Sequence, residues 1–118
     1  MKKTDKKMDN ALRDALTRVC DAALHRVPGF IWLTHLVNYR HFPDSLRIVC
    51  VFATDKDLSD AYEAKWDEYF YRLIGDELNT ASVQLKDVSR YIGFDTQEAC
   101  EKYQDGKWNK RLSQVVLH

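Results

Sequence analysis

The chain has 118 residues, enough to bury a core without disulfides or metal, and its 18 basic and 18 acidic side chains cancel. Hydrophobic content of 45% with 31% charged residues is that of a globular protein, and zero net charge argues against a generic polyanion binder, which carries a basic excess. No apolar run approaches the roughly 18 residues of a membrane span, and the basic start Met1-Lys2-Lys3-Thr4-Asp5-Lys6-Lys7 lacks the apolar stretch of a secretory signal.

Residues 1–8 read as a frayed, solvated lead-in. From Asp9 to Arg26, Leu12, Leu16, Val19, Ala23 and Val27 repeat at helical spacing, opposite the i,i+4 pairs Asp9–Arg13, Asp14–Arg18 and Asp21–His25. Pro28-Gly29 ends this helix. Phe30–Arg40 then alternates as a strand, and Pro43-Asp44 marks a turn into a second strand over Leu46–Ala53. That strand is apolar on both faces: Leu46, Ile48, Cys50 and Phe52 point one way, Val49 and Val51 the other. Such a strand suits the middle of a sheet, covered on both sides, or has one face packed and the other partly shielded.

Thr54 or Asp55 can cap the helix that follows. Leu58, Tyr62, Trp66, Tyr69 and Leu73 step by four, four, three and four, which predicts one long helix with a continuous buried stripe, widened by Ala61, Phe70, Ile74 and Leu78. Gly75 can mark a bend near its end. Val83–Asp95 predicts a bulged strand or two short ones, crossing over right-handed to lie parallel to strand 46–53. Asp95 and Glu98 have capping-box spacing for a short helix ending at Asp105-Gly106. The tail with Trp108, Leu112, Val115, Val116 and Leu117 is a second short helix or an extended segment. The order predicts a single α+β domain over residues 1–118, two-layered, with a mixed three- to four-stranded sheet packed by helices.

Cys20, Cys50 and Cys100 are odd in number, widely spaced and set in apolar patterns, as expected of reduced thiols in a cytoplasmic protein. His35, His41, Asp44 and Cys50 surround the hairpin but match no metal-ligand spacing. Pro43-Asp44 followed by Glu63-Ala64-Lys65 resembles the Pro-Asp…(Asp/Glu)-x-Lys pattern of a metal-dependent nuclease superfamily. That family puts the second half on a strand. On the helix predicted here Glu63 and Lys65 would point about 200° apart and could not gather on one ion. No nucleophile elbow or phosphate-cradling glycine loop is present, and no cofactor is expected.

Two surfaces remain. Tyr69, Phe70 and Tyr71 are consecutive, so one ring, Tyr71, is expected outside the stripe. With Trp32 and Trp108 it could form an aromatic patch for a protein partner or a second copy. Basic residues concentrate at the ends (Lys2, Lys3, Lys6, Lys7, then Lys102, Lys107, Lys110, Arg111), and adjacent termini would unite them in one positive patch. A helix-turn-helix-like phrase over Thr96–Leu117 would put Lys107, Asn109, Lys110 and Arg111 where recognition helices contact DNA.

Phe30-Ile31-Trp32-Leu33-Thr34-His35, Phe42-Pro43-Asp44-Ser45-Leu46-Arg47 and Phe94-Asp95-Thr96 resemble recurring phrases of a group of small bacterial proteins. Some of these carry the label of Fis-like transcriptional regulators. The resemblance brings no known activity, and the Fis fold itself is all-helical. The element order also resembles that of type II KH-like RNA-binding domains, which clamp RNA with a Gly-x-x-Gly loop or a substitute kink; Gly75 is the counterpart available here. The expectation is a non-enzymatic cytoplasmic protein-interaction domain, with self-association as one form. A nucleic-acid binder using the basic ends comes second, and a metal-dependent enzyme third.

Overall fold

The computed structural model describes residues 2–114. It is an α+β fold with a mixed three-stranded sheet of order β1-β2-β3: β1 (Phe30–Leu36) pairs antiparallel with β2 (Arg47–Phe52), and β3 (Ile92–Thr96) lies parallel to β2. As its two apolar faces require, β2 is central, and Ile48–Phe52 are all buried. β3 lies beside β2 and not beside β1. A bulge between Phe30 and Trp32 brings both Phe30 and Leu33 onto the face of β2 that carries Phe52 and Cys50.

That face holds the main core. Helix α1 (Lys3–Arg26) lays Leu12, Ala15, Leu16, Val19 and Ala23 over it, together with Phe70, Ile74 and Leu78 of α3. The helix begins at Lys3, so the expected frayed lead-in is largely helical. Lys2–Lys7 contain no Pro or Gly, Lys is a good helix former, and Asp5 in the first turn complements the helix dipole.

The long helix expected over 58–78 is two helices. α2 (Asp55–Glu63) ends at Ala64, Lys65 adopts the left-handed conformation (φ 63°, ψ 31°), and α3 (Trp66–Thr80) starts anew. The bend is here and not at Gly75, which lies within α3. The buried residues are Ala61 in α2 and Phe70, Ile74 and Leu78 in α3, while Tyr62 is 47% exposed. The stripe of Leu58, Tyr62, Trp66, Tyr69 and Leu73 is therefore the margin of the core, and the residues expected merely to widen it are the centre. Phe30, Phe52 and Phe70 meet there, with ring centroids 5.1 to 6.2 Å apart.

Of the bulged strand expected over Val83–Asp95, only Ile92–Asp95 is extended, as part of β3. Val88–Tyr91 form a 3₁₀ turn, and Val83 is buried in the preceding loop. Thr96 and not Asp95 caps α4 (Gln97–Gln104): its hydroxyl accepts from the Ala99 N–H. Glu98 does not close a capping box. It accepts from the Asp55 N–H, and the Thr96 hydroxyl donates to Asp55, which laces the starts of α2 and α4 together at the ends of the parallel strands. Asp105 and Gly106, both at positive φ, end α4 as expected, and α5 (Trp108–Leu112) follows. Val115, Val116 and Leu117 lie outside the described residues.

Lys65→Gly tests the break. Glycine relieves the left-handed strain and should raise unfolding stability by about 1 kcal/mol, whereas in an unbroken helix it should lower it by about 0.5–1 kcal/mol. The sign of the shift in urea midpoint decides between them.

Candidate interaction surface

The register assigns the expected aromatic residues to opposite sides of the sheet. Trp32 pairs with Val51 and Phe94 with Cys50, and Cys50 and Val51 are neighbours on one strand, so Trp32 and Phe94 face opposite ways. Trp108 of α5 packs edge-on against Trp32 at 4.8 Å, and its indole N–H donates to Gln97 at 2.7 Å. These two rings fasten the C-terminal helix to the sheet. Tyr71, expected outside the core stripe, is half-buried against Phe94 at 6.0 Å. The three named aromatics do not converge.

A different group does. Phe94 touches the buried rings of Phe52 and Phe70 at 6.5 and 5.8 Å below, and those of Tyr62 and Tyr71 at 5.6 and 6.0 Å toward the surface. Tyr62 and Tyr71 are nine residues apart, and on one helix they would point about 180° from each other. The turn at Lys65 is what brings both to Phe94. Burial, then the carboxylate of Asp67, pushes the Tyr71 phenol up; burial, Tyr71 and Asp67 do the same to Tyr62. Asp67 stands one turn before Tyr71 on α3, so a carboxylate borders the ring group. The sequence offered little signal for this site, because Tyr62 matched the core stripe and no Gly or Pro marks the break.

The expected basic contacts divide. Arg111 is held internally: it donates to both oxygens of Asp95 at 2.6 and 2.8 Å and to Gln104 at 2.7 Å, and that pairing raises its pKa further. Lys102, Lys107, Asn109 and Lys110 are exposed, with Lys102 over the Tyr103 ring. α5 spans five residues, little more than one turn, which is short for a helix that must lie along a DNA groove. The two basic ends do not form one patch. Asp9 lies beside His35 and Tyr39 at the far end of β1, and Lys2–Lys7 extend beyond it, whereas α5 sits by Trp32 at the beginning of β1.

Around the hairpin, His41 and Asp44 are exposed and Cys50 is buried, while His35 stands 3.6 Å from Asp9. Among the described residues no three His, Cys, Asp or Glu side chains gather closely enough to hold a metal ion. Glu63 closes α2 and Lys65 occupies the turn, so the helical step expected to separate them does not apply. A recess of about 290 Å³ between Pro28 and Trp66 is bordered by Asp57 and Asp60, but Asp60 is paired with Lys56 at 2.9 Å. Burial pushes all three cysteine thiols up, which keeps them protonated. Among the described residues no helix is long and apolar enough to cross a membrane. No protein-family model, curated protein or solved structure matches the chain.

The titratable cluster at the end of β1 joins Asp9 of α1 to His35 and Tyr39. The Tyr39 hydroxyl donates to Asp9 at 2.8 Å, and this bond, followed by Arg13 and His35, holds the Asp9 carboxyl below its usual value against the cost of burial. A depressed carboxylate pKa stabilises the fold at neutral pH, and that contribution fades as pH falls through the folded-state value. Tyr39→Phe should therefore cost about 0.5–1.5 kcal/mol near neutrality and progressively less in acid. Urea unfolding at a series of pH values checks this; a cost that does not shrink in acid contradicts it.

Proposed function

We propose that the chain is a non-enzymatic protein-interaction domain whose working face is formed by α2, α3 and β3. The observation that carries this reading is the emergence of the aromatic core at Phe94, between Tyr62 and Tyr71, next to an acidic stretch of the chain. Residues 55–80 hold eight acidic and three basic side chains, a net charge of −5; the whole chain is neutral, so the remainder carries +5. A surface with large rings and a charged border is the composition of an interface centre with its rim. The separation of charge also admits a second copy as partner, with the basic ends of one molecule meeting the acidic face of another.

Nucleic-acid binding is the second reading. In its favour, the order α1-β1-β2-α2-α3-β3, the parallel β2–β3 pair and the left-handed turn between α2 and α3 follow the plan of type II KH-like domains, which contact RNA at that turn. Against it, the turn lies among Asp60, Glu63, Asp67 and Glu68, which repel phosphate.

Titration with single-stranded RNA and duplex DNA at low and high salt separates the two. The protein-interaction reading expects no affinity at low salt, where phosphate contacts are strongest; binding that weakens steeply with salt would put nucleic acid first. Sedimentation from micromolar to millimolar concentration tests self-association, which should appear at low salt and be reduced by Tyr62→Ser. A strict monomer throughout removes the second copy as partner.

A further inference from the structure

Tyr62, Tyr71 and Phe94 form an open aromatic group, not a sealed one. Tyr62 is 47% exposed, and Tyr71 and Phe94 are each half-buried. Their rings meet edge-on or tilted, at 76° for Tyr62–Phe94 and 60° for Tyr71–Phe94, so the two tyrosines flank Phe94 instead of stacking flat upon it. Aromatic faces attract cations through the ring quadrupole, and the attraction grows where water is displaced. Asp67, a turn before Tyr71, adds a full negative charge beside the rings, and residues 55–80 sum to −5, although Glu77 among them is paired with Arg18 of α1. An anion or a purely aliphatic partner would meet repulsion or a charged border here.

From this juxtaposition we infer that Tyr62, Tyr71, Phe94 and Asp67 receive an arginine side chain from a partner protein. Guanidinium suits the group better than ammonium. It lies flat on an aromatic face, is weakly hydrated, and presents a fork of N–H donors that matches a carboxylate. The inference rests on the protein-interaction reading and deepens it by naming the chemistry of the occupant.

The test uses the full chain and two end-blocked peptides of equal charge, pentaarginine and pentalysine, titrated calorimetrically at low salt. The arginine peptide should bind more tightly. Tyr62→Leu keeps an apolar side chain but removes the ring, and should weaken arginine-peptide binding about tenfold, whereas Tyr62→Phe should retain it. Asp67→Asn should also weaken it. Asp76→Asn removes the same charge from α3 at a position about 140° around the helix from Tyr71, and should leave affinity within about twofold. Tyr62 is 47% exposed and lies outside the buried core, so its variants should fold, and thermal melts check that they do.

Equal binding by wild type and Tyr62→Leu, or an Asp76→Asn effect as large as that of Asp67→Asn, would reduce the site to diffuse acidity and overturn the inference. So would failure of wild type to bind either peptide. That last result would leave the protein-interaction reading to be judged by its own sedimentation and nucleic-acid titrations.

Discussion

The left-handed turn at Lys65 fixes where the aromatic side chains of α2 and α3 go, and so which rings meet Phe94. Ala61 and Phe70 are both buried, yet nine residues separate them. On a straight helix they would lie about 180° apart and could not share one core. A non-glycine residue in the left-handed region costs on the order of 1–2 kcal/mol. Burying a side chain the size of phenylalanine returns roughly 1.5–3 kcal/mol, and Ile74 and Leu78 follow Phe70 into the core at steps of four residues. Burial wins, and the chain breaks where the two helices would otherwise disagree about which way is inward.

β2 and the first part of β1 were legible because their signal is local, although β1 ends at Leu36, short of the expected Arg40. Apolar residues on both faces of Ile48–Phe52 require cover on both sides, and the central position of β2 satisfies that. The C-terminal end of α4 was legible for a similar reason, since Asp105-Gly106 acts within one turn of its own position, whereas the cap at its start lies one residue later than expected, on Thr96. The break was not legible. Periodicity weighs rings by size, and tyrosine and tryptophan satisfy an apolar pattern while keeping a polar edge in water. Tyr62, Trp66 and Tyr69 therefore made a persuasive stripe that proved to be the margin. The hidden conflict between Ala61 and Phe70 was a better guide than the visible regularity. At the start of the chain the opposite error arose: Lys2–Lys7 lack an apolar face, but propensity carries the helix through them without one.

The candidate surface was less legible than the fold, because its members come from three elements and meet only through tertiary packing. Nothing in the spacing of Trp32 and Trp108, 76 residues apart, says that they pack against one another. Once they do, they and the Arg111–Asp95 pair close the C-terminal helix onto the sheet and withdraw the rings and one cation from any other use. Phe94 follows the reverse path: it is part of the core from below and part of the surface from above. A ring supported by Phe52 and Phe70 is held in one orientation, which lowers the entropy lost when something packs on it.

Net charge was the weakest guide of all. A partner at contact responds to charges within a screening length of about 8 Å at physiological ionic strength, not to the sum over a molecule. The neutral total of this chain conceals an acidic α2–α3 segment at −5 and a basic remainder. The argument against phosphate binding is consequently stronger at the α2–α3 turn than composition made it, and weaker at the exposed lysines of α4 and α5. The same arithmetic gives the aromatic group its sign. Rings alone would accept an apolar partner as readily as a charged one. Rings bordered by Asp67, in a stretch of chain where carboxylates outnumber cations, are the reason for proposing a positively charged partner.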